Sequence, residues 1–157
     1  AEVLTTFHGL EHRLEFVGEY NGVSYYDDSF ATTPEPTIAA IESFTEPLIL
    51  ILGGSSKGAD FSELGKVISN KSNIKAIVGI DPEWEKIKQT ISEPRSVIEY
   101  IDGSKSMKEI ILNSMDIADS GDVILLSPAC ASFGMFKNYK ERGEQFKEEI
   151  IRLNPNI

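Results

Sequence analysis

The sequence predicts an α/β fold, a doubly wound, mostly parallel sheet with an N-terminal antiparallel hairpin and helices on both faces. Three observations predict it. Short apolar runs such as residues 47–52 alternate with segments whose apolar residues recur at helical spacing, such as Ile38, Ala39 and Ile41. The connections are short and polar, so each strand-helix-strand step reads as a right-handed crossover between parallel strands. Ahead of them, Asn21-Gly22 separates two strand-like segments, the mark of a two-residue hairpin turn.

Each element has its own signal. Residues 1–9, with Thr5, Thr6 and Gly9, lack periodicity and read as the residue of an interdomain linker, leaving 10–157 as one domain. In residues 13–17, Leu14 and Phe16 alternate with Arg13 and Glu15, and Gly18 is a candidate bulge before the return strand at 23–26. Residues 34–44 read as a helix, with Thr32 and Thr33 as candidate N-caps and Pro34 in the first turn. Residues 47–52 read as a strand buried on both faces, ending in Gly53-Gly54. A helix at 61–68, capped near Asp60 or Ser62, leads to a strand at 74–80. A helix at 82–91, opened by Asp81, leads to a strand at 97–101. The helix at 104–117 turns Met107, Ile110, Ile111 and Met115 inward, 123–126 is the last strand, and a helix at 136–153 closes the domain. This order is Rossmann-like.

Composition excludes several classes of function. The 157 residues fit one hydrophobic core. Acidic residues outnumber basic ones 25 to 15, which argues against nucleic acid or an anionic membrane as partner. No apolar run approaches the ~20 residues that span a bilayer, and no secretory leader is evident, so a cytoplasmic location is expected. Cys130 is alone and cannot form an internal disulfide. His8 and His12 are too few for a zinc site, and no metal site is expected. An anionic ligand would need a local pocket of one or two cations and free N–H groups.

Ligands of such sheets bind beyond the carboxyl ends of the strands, where three segments qualify. The first runs Asp27-Asp28-Ser29-Phe30-Ala31-Thr32-Thr33-Pro34. Asp28 suits a ribose hydroxyl or a cation, and Thr32 suits a carboxylate; equally, these side chains suit a tight turn and a helix cap. The second is Leu52-Gly53-Gly54-Ser55-Ser56-Lys57-Gly58-Ala59-Asp60-Phe61, a glycine turn with a cation at its tip. It is not G-x-x-x-x-G-K-[ST], and an ordinary turn with a solvated lysine remains open. The third begins Ser127-Pro128-Ala129-Cys130-Ala131-Ser132, where small residues allow a substrate to lie against the loop. No local base accompanies Cys130, so a buried, inert thiol is expected rather than a nucleophile.

Together with Gly9-Leu10-Glu11-His12-Arg13, and with the third segment extended to Phe136-Lys137-Asn138-Tyr139 and Arg142-Gly143, these segments stand in the order of a known family. The set resembles the C-terminal domain of the Mur ligases, and within them the branch that adds D-glutamate. The resemblance implies an ATP-dependent, amide-bond-forming ligase of peptidoglycan synthesis, with Mg2+ and UDP-N-acetylmuramoyl-L-alanine as further participants. The alanyl carboxylate is phosphorylated, and the amine of D-glutamate attacks the acyl phosphate. It also implies that D-glutamate is bound by Lys57, Thr32, Ser132 and Tyr139, and the nucleotide contacted by Arg13, Asp28 and His12.

Three positions depart from the family pattern. Phe30 stands where lysine is frequent, Ser55 where an acid is common, and Tyr139 where phenylalanine is usual. The UDP-binding and central ATPase domains that the family uses are expected outside this chain, since no Walker-type loop occurs in it. No tightly bound cofactor and no catalytic residue of its own are therefore expected in this domain, and the resemblance implies a monomer. A domain of another Mur or folylpolyglutamate-type ligase, taking a different amino acid, is the alternative reading.

Overall fold

The structure is a computed structural model and describes residues 9–155. The expected linker lies outside the described residues except for Gly9. The chain opens with β1 (Glu15–Tyr20) and β2 (Val23–Asp27), then alternates α1 (Pro34–Glu42), β3 (Leu48–Gly53), α2 (Ser62–Asn70), β4 (Ile74–Ile80), α3 (Trp84–Gln89), β5 (Glu99–Ile101), α4 (Met107–Ile117), β6 (Val123–Leu126) and α5 (Tyr139–Leu153). The sheet order is β1-β2-β6-β3-β4-β5, with β1 antiparallel to β2 and every other pair parallel.

Alternation along the buried strands sends side chains to two separate cores. Leu48, Leu50, Leu52, Val123 and Leu125 pack with Ile41 of α1, Leu64 and Ile68 of α2, and Trp84 and Ile87 of α3. Ile49, Ile51, Ile124 and Leu126 pack on the opposite face with Ile110 and Ile111 of α4 and Phe146 and Ile150 of α5. The sheet is therefore covered on both faces, as the apolar runs without polar alternation require.

The hairpin register slips between Phe16 and Gly18, so the expected bulge is present. Several boundaries move. The final helix begins at Tyr139, not 136, because Asn138 takes an extended backbone and its side chain accepts from Glu141 N–H at 2.9 Å. Thr33 occupies the N-cap of α1, but neither it nor Asp60 caps with its side chain; Asp60 instead accepts from Ser62 N–H at 2.9 Å in the turn before α2. The helix at α3 starts after Glu83, and β5 keeps only three residues.

β3, β6 and β2 end nearly level, with Leu126 opposite both Ile51 and Asp27. β1 runs the other way, so the residues just before it, His12 to Leu14, join the same edge.

Candidate functional site

Four segments meet at that carboxyl edge, and their side chains lock them together. Asp27 accepts from Ser29 N–H at 2.9 Å, and its other oxygen lies 2.6 Å from His12 Nδ1. Asp28 accepts from Leu14 N–H at 2.9 Å and from the Ser127 hydroxyl at 2.6 Å. Ser127 lies 3.0 Å from the Thr37 hydroxyl on α1. Burial raises the pKa of Asp28, while the Ser127 and Leu14 bonds oppose the rise.

Arg142 of α5 is the second tie. It is 1% exposed, and its guanidinium donates to Ser29 Oγ at 2.8 Å, Ser29 O at 2.7 Å and Cys130 O at 3.0 Å. Burial lowers its pKa to about 10, which leaves it charged at neutral pH. The fork joins the loop that carries Thr32 to the loop that carries Ser132, a geometry that lysine lacks. A third tie pairs Ser55 with Ala131, N–H to O in both directions, at 2.9 and 2.8 Å. Gly54 makes that approach possible, since a Cβ on it would lie 2.4 Å from Ala131 O and its φ is +131°. His12, Leu14 and Ala129 also hold positive φ angles of 63°, 44° and 62°, so non-glycine left-handed backbone gathers at this edge.

The expected ligand residues other than Lys57 distribute among three depressions. Arg13, Asp28, Phe30 and Thr32 line a cleft of about 380 Å³ against α1. His12, Arg13, Phe30 and Tyr139 line a second, of about 220 Å³. Phe30 is the wall between them: the Arg13 guanidinium lies 4.7 Å from its ring centroid and Tyr139 meets it edge-on at 5.1 Å. Ser132, 4% exposed, borders a space of about 10 Å³ with Gly53, Gly54, Asp81 and Arg142, room for about one water. Lys57 is exposed at the tip of its loop and makes no hydrogen bond or ion pair among the described residues.

None of these three depressions is therefore lined by Lys57, Thr32 and Ser132 together. They share one edge, on the loops that follow β2, β3 and β6. His12 is 2% exposed and bonded to Asp27, and both Asp28 oxygens are bonded internally, so these two hold the edge together, while Arg13 presents its guanidinium outward. The helix N-terminus expected near Phe136 is corrected: α5 begins three residues later, and Asn138 already accepts from Glu141 N–H, one of its first donors.

The residues do not fit a magnesium ion. Among the described residues, only His12, Glu15 and Asp27 bring three ligand-type atoms within 4.8 Å of one another. Asp27 is spent on His12 at 2.6 Å, and Glu15 on Lys147 at 3.0 Å, where Mg2+ demands an octahedron of oxygens. Cys130 is fully buried, and burial pushes its thiol up to about 12, as an inert side chain requires. Nothing in the residue pattern marks Arg142. Arg142 lies inside the segment that carried the resemblance, yet its partners are 12 and 113 residues away.

This is a doubly wound domain whose carboxyl edge is built from loops tied together by buried side chains. The chain belongs to the Mur ligase family: the profile of the family described as "Mur ligase, glutamate ligase domain" matches residues 12–130. It is similar to UDP-N-acetylmuramoylalanine--D-glutamate ligase of Caldanaerobacter subterraneus, 41% identical over 96% of this chain and 33% of that protein. The enzyme of the same name from Clostridium perfringens is 43% identical over 97% of this chain and 33% of its own length. The chain thus spans about a third of the curated relatives it matches. A murein peptide ligase from Psychrobacter arcticus shares the fold, with a TM-score of 0.66 at 18% identity, over 99% of this chain and 32% of that one. No helix among the described residues is long and apolar enough to cross a membrane.

Proposed function

We propose that this chain is the amino-acid-binding domain of a cytoplasmic, monomeric UDP-N-acetylmuramoylalanine--D-glutamate ligase, residues 10–157 forming the domain and 1–9 the end of a linker. The observation that carries the reading is about 41% identity, along nearly the whole chain, to ligases of that name. The full-length protein then uses ATP and Mg2+ to join D-glutamate to UDP-N-acetylmuramoyl-L-alanine. ATP supplies the activation of the alanyl carboxylate; the metal belongs to other parts of the protein, because the His12, Glu15 and Asp27 cluster does not suit it.

The work of this domain is to present an amine. D-glutamate carries two carboxylates, so it needs a cation and hydroxyl donors at separated points. Lys57 and Thr32 take one carboxylate in this reading, and Ser132 and Tyr139 take the other end. Arg13 reaches the nucleotide from the wall it shares with Phe30, while His12 and Asp28 support that lip from behind. Fixing the amine by its two carboxylates lowers the barrier through proximity rather than through proton transfer. The shallow edge supports the reading, since the remaining wall would come from another domain on closure.

The test uses the full-length protein with ATP, Mg2+ and UDP-N-acetylmuramoyl-L-alanine. Phosphate release that depends on D-glutamate, and not on L-glutamate or meso-diaminopimelate, is expected. Preference for diaminopimelate would contradict the assignment. The isolated chain is expected to show no turnover with the same mixture, and detectable ligation by it would overturn that part.

A further inference from the structure

The loop after β3 is anchored residue by residue until it reaches Lys57. Gly54 N–H donates to Ile80 O at 2.9 Å, and Gly54 O accepts from Glu83 N–H at 3.1 Å. Ser55 pairs with Ala131 in both directions. The Ser56 hydroxyl donates to Glu83 Oε2 at 2.6 Å. Lys57 is next, exposed and without a bond among the described residues, so Ser56 is the last fixed point before the lysine.

Glu83 is an unexpected residue in this place. It is 5% exposed, and a buried carboxylate close to a lysine that receives an anion would repel that anion. Its charge is answered locally: Lys86 Nζ lies 3.0 Å from Oε1, while Ser56 holds Oε2. Those two bonds hold the carboxyl below its ordinary value, so it is ionised at neutral pH and makes the stronger, charge-assisted kind of hydrogen bond to Ser56. Glu83 does not line either large cleft. What it does contact is the backbone at Gly54 and the side chain of Ser56, on either side of the Ser55–Ala131 pair.

We propose that Glu83 is a positioning residue for Lys57: through the Ser56 hydroxyl it fixes the final anchored residue of the loop and so aims the lysine at the amino-acid substrate's carboxylate. This rests on the reading that Lys57 binds that carboxylate. The clamp acts on substrate binding and leaves the nucleotide alone, because none of its bonds reaches Arg13 or Asp28.

The experiment compares Lys57→Ala, Ser56→Ala, Glu83→Ala, Glu83→Gln and the Lys57→Ala/Ser56→Ala double variant in the full-length protein, reading KM for D-glutamate, KM for ATP and kcat. Ser56→Ala is expected to raise KM for D-glutamate about fivefold to tenfold with KM for ATP unchanged, the loss of one charge-assisted bond. Glu83→Ala should match it, and Glu83→Gln, which keeps an acceptor oxygen but loses the charge, should raise KM for D-glutamate less than Glu83→Ala does. In the Lys57→Ala background, Ser56→Ala should add nothing, which a merely structural serine would not reproduce. If Glu83→Ala fails to fold, the serine variants still decide. A normal KM for D-glutamate in Ser56→Ala, with a raised one in Lys57→Ala, overturns the clamp and spares the Lys57 reading. An equal rise from Ser56→Ala in both backgrounds also overturns the clamp. A normal KM in Lys57→Ala removes the Lys57 reading and the proposal with it.

Discussion

The His12 imidazole and the Asp27 carboxylate form a buried pair 2.6 Å apart, and Gly143 of α5 is the surface against which they lie. A Cβ at Gly143 would fall 2.2 Å from His12 Nδ1 and 2.8 Å from Asp27 Oδ2. In an unobstructed helix interior, replacing glycine by alanine stabilises by about 1 kcal/mol. Here overpacking costs about 1–3 kcal/mol and reverses the sign. Gly143→Ala should therefore lower the denaturant midpoint of the chain, and a raised midpoint would show that the pair yields freely.

Arg142 predicts a larger loss. Arg142→Met keeps the apolar stem but leaves Ser29 O and Cys130 O without the donors they have at 2.7 and 3.0 Å, while the Ser29 hydroxyl loses one bond and keeps its own to Tyr139 O. Unsatisfied buried acceptors cost about 1–3 kcal/mol each, so a total near 3 kcal/mol or more is expected in denaturant unfolding. Arg142→Lys should recover only part, since one ammonium cannot reach three acceptors in a planar fork. Full recovery by lysine would contradict the geometric argument.

The acid side of the stability profile should depend on Glu15. Burial works against its charge, but His12 N–H at 3.0 Å and Lys147 Nζ at 3.0 Å outweigh it and hold the carboxyl below 4.5. A carboxyl lowered by folding binds fewer protons in the folded state, so its contribution is complete above the unfolded value. It is lost as pH falls from 4.5 through the lowered value. The parent should exceed Glu15→Gln by on the order of 1 kcal/mol at neutral pH and converge with it in acid. A gap between the two that persists unchanged at low pH would refute the linkage.

Much of this fold is written locally. The Asn21-Gly22 turn, the Gly18 bulge and the uniformly apolar strand at Leu48–Gly53 need only near neighbours, and each appears where its pattern stands. Helix starts are less legible, because Phe136 looks like an opening residue until Asn138 is seen to cap the helix behind it. The sheet order, with β6 inserted between β2 and β3, is set by the packing of whole helices and leaves no mark in any one segment. The site divides the same way. Resemblance marks Lys57, Thr32 and Ser132, but the ties among their loops, Arg142 to Ser29 and Ser56 to Glu83, join residues 113 and 27 apart and are invisible to periodicity.

Cys130 offers a probe of opening. It is fully buried with a thiol pushed up to about 12, so a thiolate-selective reagent at neutral pH should label it only when the chain opens. The labelling rate should rise with denaturant in step with the open population. Rapid labelling in native buffer would mean that the loop between β6 and α5 is displaced far more readily than its bonds to Arg142 imply.

The most direct measurement is a crystal structure of the full-length protein with D-glutamate bound. One substrate carboxylate is expected within hydrogen-bond distance of Lys57 Nζ and Thr32 Oγ1, with the other end against Ser132 and Tyr139. Ordered D-glutamate held elsewhere, with those four side chains facing solvent, would contradict it.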